Sequence, residues 1–154
     1  MKKSLKLIAC VIACELAGNI PTFVTVGAIT DWYSPLNKPW FNPPNWLFGP
    51  AWTILFALMG VALYFVLESK SRFGKLALAI FGVQFILNIA WSFLFFGLQS
   101  PLYGLIDIFA LLIMIITTII VFYRVDKKAA YLLVPYWLWV CFASTLNYFI
   151  FRMN

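Results

Sequence analysis

Five long apolar segments, separated by short polar links, dominate the pattern of the sequence. They cover roughly residues 5–28, 47–67, 76–97, 102–123 and 129–151. Each segment is long enough to cross a hydrocarbon core of about 30 Å at 1.5 Å per residue. Because a spanning segment must satisfy its backbone hydrogen bonds internally, we expect every segment to be a helix. The pattern predicts an all-α membrane protein, with residues 1–154 forming a single domain that is a five-transmembrane-helix bundle.

The composition agrees with lipid as the main solvent. Hydrophobic residues make up 64% of the chain and charged residues only 10%, against about 45–50% and about 25% in an ordinary soluble domain. The sequence contains no histidine, which removes the usual imidazole metal ligand and the usual general base near neutral pH. We therefore expect no metal site.

Basic residues are distributed unevenly between the two ends of the predicted bundle. Five crossings place nine of them on one side and two on the other. The nine are Lys2, Lys3, Lys6, Lys70, Arg72, Lys75, Arg124, Lys127 and Lys128, and the two are Lys38 and Arg152. The positive-inside rule then predicts a cytoplasmic N-terminus, with the C-terminus and the long first loop outside. This distribution accounts for the net charge of +6, so we expect no nucleic-acid partner.

Small residues recur along the first segment, where they would let another helix approach closely. They are Ala9, Cys10, Ala13, Cys14, Ala17 and Gly18. The spacing predicts helix packing, either inside the bundle or between protomers.

The stretch from Asp31 to Trp52 is rich in tryptophan and proline. It reads DWYSPLNKPWFNPPNWLFGPAW and contains four Trp and five Pro. Tryptophan is common in the aromatic belts of membrane interfaces, which is one interpretation. The prolines fix φ and stiffen the chain, which favours the other, a rigid aromatic lid over a ligand pocket.

A polar stripe on the third segment is the second candidate feature. Gln84, Asn88 and Trp91 are spaced so that they share one helix face. Amides are costly in hydrocarbon unless they are hydrogen-bonded, so the stripe should face the bundle interior. It would serve either as interhelical hydrogen bonds or as a polar contact for a ligand.

Two further sets of residues in the spans could carry function. On the last segment Trp139, Ala143 and Asn147 share a face, and the small Ala143 leaves room for a flat guest. Glu15 and Asp107 are ionisable groups inside spans, which makes each a candidate functional residue. Two acids alone do not define a proton relay. The sequence shows no motif for hydrolytic or phosphoryl-transfer chemistry.

Three blocks resemble a known family. The blocks WYSPLNKPWFNPPNWLFGPAWTILFALMGVALY, QFILNIAWSFLFFG and PYWLWVCFASTLNYFIFR are similar, in order and spacing, to the translocator protein family, also called the tryptophan-rich sensory protein (TspO/MBR) or peripheral benzodiazepine receptor family. The compact loops resemble its bacterial members. The resemblance implies a homodimer of five-helix bundles that binds porphyrins, notably protoporphyrin IX, and isoquinoline-carboxamide or benzodiazepine-type ligands.

The resemblance also implies which residues form the site. The matching positions are Tyr33, Pro43, Trp52, Gln84, Asn88, Trp91, Trp139 and Ala143. Trp52 and Trp139 correspond to a tryptophan pair implicated in porphyrin degradation, and we expect them to form a two-indole floor. Lys38 is the one loop cation suited to a porphyrin carboxylate. No resident cofactor is expected, because porphyrin would be the ligand or substrate, with light and O2 as co-reactants.

Two hypotheses of function follow. The first is a tetrapyrrole-binding membrane protein that promotes photo-oxidative porphyrin degradation without conventional catalytic residues. The alternative is a transporter or stress sensor for porphyrins and similar apolar metabolites. Transporters commonly contain inverted repeats or broken helices, and neither is visible in the sequence.

Overall fold

The computed structural model describes residues 2–154, and helices account for most of them. The α-helices formed within this range are α1 (Lys3–Gly18), α2 (Thr22–Ala28), α3 (Phe48–Glu68), α4 (Gly74–Ser92), α5 (Pro101–Val125), α6 (Lys127–Leu132) and α7 (Val134–Met153). Single π-helical turns, Ile29–Tyr33 and Phe93–Gly97, extend α2 and α4, and a 3₁₀ turn, Asn45–Leu47, leads into α3. No strand forms among residues 2–154.

Four helical segments within the described chain are continuous, long and apolar enough to cross a membrane. They are Asn45–Glu68, Gly74–Gly97, Pro101–Val125 and Lys127–Met153. The fifth crossing consists of Lys3–Gly18 followed by Thr22–Tyr33, two helices bent by 43° at a short break. The predicted all-α, five-helix membrane bundle is therefore confirmed.

The break in the first crossing corrects the prediction of an unbroken helix over residues 5–28. Pro21 has no N–H and cannot continue the hydrogen-bond ladder. At the end of α1 the carbonyl oxygen of Glu15 accepts from both Asn19 Nδ2, at 2.8 Å, and Asn19 N, at 3.0 Å. Because α2 restarts at Thr22 in a new direction, a gap opens between α2 and the beginning of α3.

Below the break, α1 packs closely on α3. Cys10, Cys14 and Gly18 are buried in this contact, whereas Ala9 and Ala13 are exposed. A Cβ added at Gly60 of α3 would lie 2.9 Å from the carbonyl oxygen of Cys10. Part of the small-residue face thus packs inside the bundle, which is one of the two arrangements that the spacing left open.

Contacts between helix ends bring the segments that carry the basic residues to the same end of the bundle. Lys6 of α1 forms an ion pair with Glu68 of α3 at 2.7 Å. The hydroxyl of Ser69 donates to the carbonyl oxygen of Val125 at the end of α5 at 3.3 Å. The links that carry the nine basic residues therefore lie at one end of the bundle. That this end faces the cytoplasm stays a prediction.

Candidate functional site

A cavity of about 360 Å³ lies in the half of the bundle opposite the basic end. Its lining comes from the α1–α2 break, the beginning of α3, the last turns of α4 and the outer part of α7. Volumes of roughly 300–1,000 Å³ are typical of small-molecule sites. Two exposed lining residues indicate a mouth between α2 and the beginning of α3: Val26 of α2 is 61% exposed, and Trp46 of the turn before α3 is 71% exposed.

Trp52 forms the aromatic floor of the cavity together with Phe56. Their rings stack with centroids 5.4 Å apart and an interplanar angle of 26°. The ring of Tyr136 makes a T-shaped contact with Trp52, with centroids 6.3 Å apart. The end of the Phe56 ring rests against Gly18, where a side chain would collide with it. The glycine at the end of α1 therefore sets the position of the floor.

Trp91 and Phe95 form the wall on the side of α4. Their rings stack at 5.0 Å with an interplanar angle of 15°. Trp91 Nε1 donates to Asn147 Oδ1 at 3.1 Å, and Asn147 Nδ2 donates to the carbonyl oxygen of Pro101 at 2.8 Å. The wall is thus held by hydrogen bonds that join α4, α7 and α5, and Ala143 adds a small residue beside it.

The π-helical turn Phe93–Gly97 widens the end of α4 beside this wall. A widened turn changes the rotation of the residues that follow, and such turns are frequent at functional sites. Here both Phe95 and Phe96 line the cavity, although they are neighbours in sequence.

The proline-rich loop lies beside Tyr33, which is buried and lines the cavity. Tyr33 Oη donates to Asn42 Oδ1 in this loop at 2.8 Å. The loop is also tied to the end of α7. Asn37 N donates to Asn154 Oδ1 at 3.0 Å, and Asn154 Nδ2 donates to the carbonyl oxygen of Asn37 at 3.0 Å. The loop is therefore fixed to two helices.

Lys38 does not offer its charge to the cavity, contrary to expectation. Its Nζ donates to three carbonyl oxygens, those of Tyr33 at 2.8 Å, Ser34 at 2.8 Å and Leu36 at 2.9 Å. An ammonium has three donors, and all three are used here. Partial burial also lowers the pKa of Lys38. The residue acts as a clamp inside the loop.

The two amides of the polar stripe, Gln84 and Asn88, have different roles. The sequence left open an interhelical hydrogen bond or a polar contact for a ligand. Asn88 lines the cavity and donates from Nδ2 to Tyr136 Oη at 3.0 Å. Gln84 lies deeper, outside the cavity lining, and its Oε1 accepts from Tyr136 Oη at 3.0 Å. Asn88 therefore remains a candidate ligand contact, whereas Gln84 forms an interhelical hydrogen bond.

Trp139 and Pro43 lie outside the cavity, so the expected two-indole floor does not form. Both residues line a separate apolar groove between the beginning of α3 and α7. The ring of Phe48 lies against Trp139 with centroids 6.1 Å apart, and Phe48 also lines the cavity. Exposed Ile54 shows that this groove faces the lipid side of the bundle.

The two intramembrane acids are also outside the cavity lining. Asp107 is buried on α5, and its Oδ2 has no hydrogen-bond partner among residues 2–154. Glu15 lies on α1, and its Oε2 is 3.4 Å from Asn19 Nδ2. The described residues contain no group of three His, Cys, Asp or Glu side chains that could hold a metal ion.

Several lining residues were not expected from the sequence. Gly18, Phe56, Phe95 and Thr25 were missed. Phenylalanine is abundant in every segment, so its composition gives no signal at any one position. Thr25 reaches the cavity because α2 changes direction at Pro21, and this proline inside an apolar segment was the available signal.

Comparisons with known proteins match almost the whole chain. The model of the TspO/MBR family matches residues 10–153. The tryptophan-rich protein TspO of Archaeoglobus fulgidus is 47% identical over 150 residues, which cover 97% of each chain. The tryptophan-rich sensory protein of Cereibacter sphaeroides is 36% identical over 84% of this chain and 83% of its own. The translocator protein of Sus scrofa is 34% identical over 91% of this chain and 85% of its own.

Proposed function

Because the chain belongs to the TspO/MBR family, we propose that it is an integral membrane protein that binds porphyrins and promotes their light-dependent oxidative breakdown. The observation that carries this proposal is the indole of Trp52, stacked at the floor of a largely apolar cavity. Aromatic faces stack favourably on one another, and a porphyrin presents a large aromatic face. The proposed ligand is protoporphyrin IX or a related flat tetrapyrrole.

The shape of the cavity supports entry of the macrocycle by its edge. The mouth between α2 and α3 is lined by apolar Val26 and Trp46. A large ring inserted through this mouth would place one edge against Trp52 and leave the opposite edge near the membrane surface. Its carboxylates could then remain in water, which suits a site whose loop cation, Lys38, is already bound to three carbonyl oxygens.

Degradation in this proposal needs no conventional catalytic residue. Light excites the bound porphyrin, and O2 is the oxidant. The indole of Trp52 would give an electron to the excited ring and become a radical cation, and the reduced ring would pass that electron to O2 to form superoxide. The Trp52 radical cation would then take an electron back from the porphyrin, and the porphyrin radical cation would combine with superoxide, so that Trp52 is restored and only porphyrin and O2 are consumed. Trp139 lies behind Phe48 and would take a smaller part.

The first prediction compares the two tryptophans under illumination. Purified protein with protoporphyrin IX should lose the porphyrin absorbance in light, and Trp52→Phe should slow this loss about tenfold or more while dark binding remains. Trp139→Phe should retain most of the rate, because its ring is outside the cavity. Equal rates in the wild type and the Trp52→Phe variant would contradict this mechanism, and an effect confined to Trp139→Phe would assign the reaction to the outer groove. (A tenfold change corresponds to roughly 1.4 kcal/mol in the barrier.)

Transport of tetrapyrroles is the second candidate function, favoured by the broken first crossing. Interrupted helices beside a binding site are common in transporters, and the cavity lies directly at the 43° break between α1 and α2. Protein-dependent flux of porphyrin into sealed vesicles in the dark would support this function. Binding without any flux would leave degradation as the activity.

A further inference from the structure

The floor of the cavity contains one polar side chain that is almost fully buried and still open to a ligand. Asn88 is 5% exposed and lines the cavity. Its Nδ2 is bonded to Tyr136 Oη at 3.0 Å. Its Oδ1 receives no hydrogen bond from any residue between 2 and 154, so the amide presents an acceptor to the cavity.

Asn88 is the end of a three-residue chain of hydrogen bonds. Tyr136 Oη accepts from Asn88 Nδ2 and donates to Gln84 Oε1 at 3.0 Å. All three side chains are buried. Gln84 Nε2, at the far end, has no hydrogen-bond partner within the described chain.

The series of hydrogen bonds from Asn88 through Tyr136 to Gln84 can also run in the opposite direction, with the same number of bonds. The oxygen and nitrogen ends of an amide have nearly the same shape, and a hydroxyl both donates and accepts. If both amides turn over, Gln84 Nε2 donates to Tyr136 Oη, and Tyr136 Oη donates to Asn88 Oδ1. Gln84 keeps one unpaired end in either direction, and no side chain changes its volume.

We propose that Gln84 and Tyr136 make the polar floor of the cavity reversible, so that Asn88 offers either an acceptor or a donor to the ligand. The inference rests on the proposed function in one respect, that this cavity is the ligand site. Gln84 is then a positioning residue, which acts on the ligand through Tyr136 and Asn88. Its free end lets the chain turn over without losing a bond.

The reversal would set which ligands the cavity accepts. A buried polar group without a partner costs free energy, so a fixed acceptor would disfavour ligands that also present an acceptor. A reversible amide removes this restriction. The site would take flat, apolar molecules whose inner edge carries one polar group of either kind, such as a pyrrole N–H or a carbonyl. Trp91 Nε1 cannot supply this choice, because it is bonded to Asn147.

The test uses three flat tricyclic probes of nearly the same size. Carbazole carries an N–H donor, 9-fluorenone carries a carbonyl acceptor, and fluorene carries neither. Their affinities for the wild-type protein in nanodiscs can be measured by quenching of tryptophan fluorescence. We expect both polar probes to bind about fivefold more tightly than fluorene, since one net hydrogen bond contributes about 1 kcal/mol. An advantage for carbazole alone would show a fixed acceptor and overturn the inference.

Gln84→Met removes the far end of the chain while keeping a side chain of similar length. The Tyr136 hydroxyl is then left with Asn88 and donates to Oδ1, which turns Asn88 Nδ2 to the cavity. The affinity for carbazole should fall to that for fluorene, while 9-fluorenone should still bind more tightly than fluorene. If Gln84 had only a structural role, Gln84→Met would lower the affinity for all three probes by the same factor. That outcome would also overturn the inference.

Tyr136→Phe provides a second variant that breaks the chain at its centre. Asn88 is then released from Gln84 and can turn freely, so both polar probes should keep their advantage over fluorene. Loss of one advantage in this variant would contradict the proposal even if Gln84→Met did not fold. If none of the three probes bound the wild type, the cavity itself would fail as the ligand site, and the inference would fail with it.

Discussion

At the residue scale, the wall of the cavity depends on a contact that leaves no room for an added atom. Gly104 of α5 faces Phe95 and Asn147 directly. A Cβ at this position would lie 2.8 Å from Phe95 Cδ2 and 3.0 Å from Asn147 Oδ1. Asn147 in turn holds Trp91 through its Oδ1. One methyl group at Gly104 would therefore disturb two of the hydrogen-bonded wall residues together.

Gly104→Ala should destabilise the protein by about 1–3 kcal/mol, the usual cost of overpacking. It should also raise the accessibility of the Trp91 indole, because Asn147 must shift. Thermal unfolding and tryptophan fluorescence in detergent would measure both effects. Gly82→Ala is the matched control, since a Cβ there meets no atom within 4 Å. Equal melting temperatures for the two variants would contradict the described packing.

Individual residues also show how far the sequence could predict the site. The burial of Gln84 and Asn88 followed from helical spacing and the cost of an amide in lipid. Trp139 was placed on the correct helix, but helical spacing does not show on which side of Phe48 its ring lies. The sequence presents Lys38 as a free cation, because its three carbonyl partners belong to the backbone and leave no signal in the sequence.

At the element scale, the proline-rich loop is held by its own lysine and by α7. The three hydrogen bonds of Lys38 Nζ close the turn after Tyr33. The contacts of Asn37 with Asn154 fix the middle of the loop. Proline stiffness, which the sequence did predict, is thus only one of the causes of order in this segment. A loop held in this way keeps Tyr33 in place beside the cavity.

Lys38→Met should loosen the loop without disturbing the bundle. Each lost hydrogen bond to a charged group is worth on the order of 1 kcal/mol or more, so amide exchange over residues 34–44 should rise at least about fivefold. Hydrogen–deuterium exchange read by mass spectrometry would detect this change. Lys70→Met, at the opposite end of the bundle, should leave exchange in the loop unaltered. Unchanged exchange in Lys38→Met would show that the clamp has no effect.

The first crossing shows a second limit of prediction at this scale. Its length and apolar content correctly indicated a membrane span. The break at Asn19–Pro21 was missed because the segment remains apolar on both sides of it. A proline followed by a threonine can also occur in a continuous helix when neighbours satisfy the freed carbonyls. Whether the helix bends depends on the packing of α1 against α3, which a single sequence does not show.

At the scale of the whole molecule, basic residues are concentrated at one end of the bundle, whereas apolar surface surrounds its sides. The basic links lie at one end, and the cavity lies in the other half. Large apolar residues remain exposed around the outside of the bundle, as expected where lipid is the solvent. From the positive-inside rule we expect the basic end to face the cytoplasm and the aromatic loop to lie outside. The cavity mouth would open in the outer half of the membrane.

This orientation can be tested with membrane-impermeant thiol reagents. Serine would first replace the native cysteines, Cys10, Cys14 and Cys141. In intact cells Ser34→Cys should be labelled at once, because the predicted orientation turns the loop outward. Lys70→Cys should be labelled only after the membrane is permeabilised. Labelling in the reverse order would invert the orientation and place the cavity mouth in the inner half.

Binding of the porphyrin in the dark tests most directly whether the cavity above Trp52 is the ligand site. Two variants fill two different spaces with the same added volume. Ala143→Leu fills the cavity, whereas Ala51→Leu fills the outer groove that contains Trp139. Titration of each variant in nanodiscs with protoporphyrin IX, followed by its absorbance, gives the two affinities.

Ala143→Leu should weaken binding about tenfold or more, a loss of at least roughly 1.4 kcal/mol, while Ala51→Leu should bind like the wild type. Binding lost only in Ala51→Leu would show that the porphyrin occupies the groove and not the cavity.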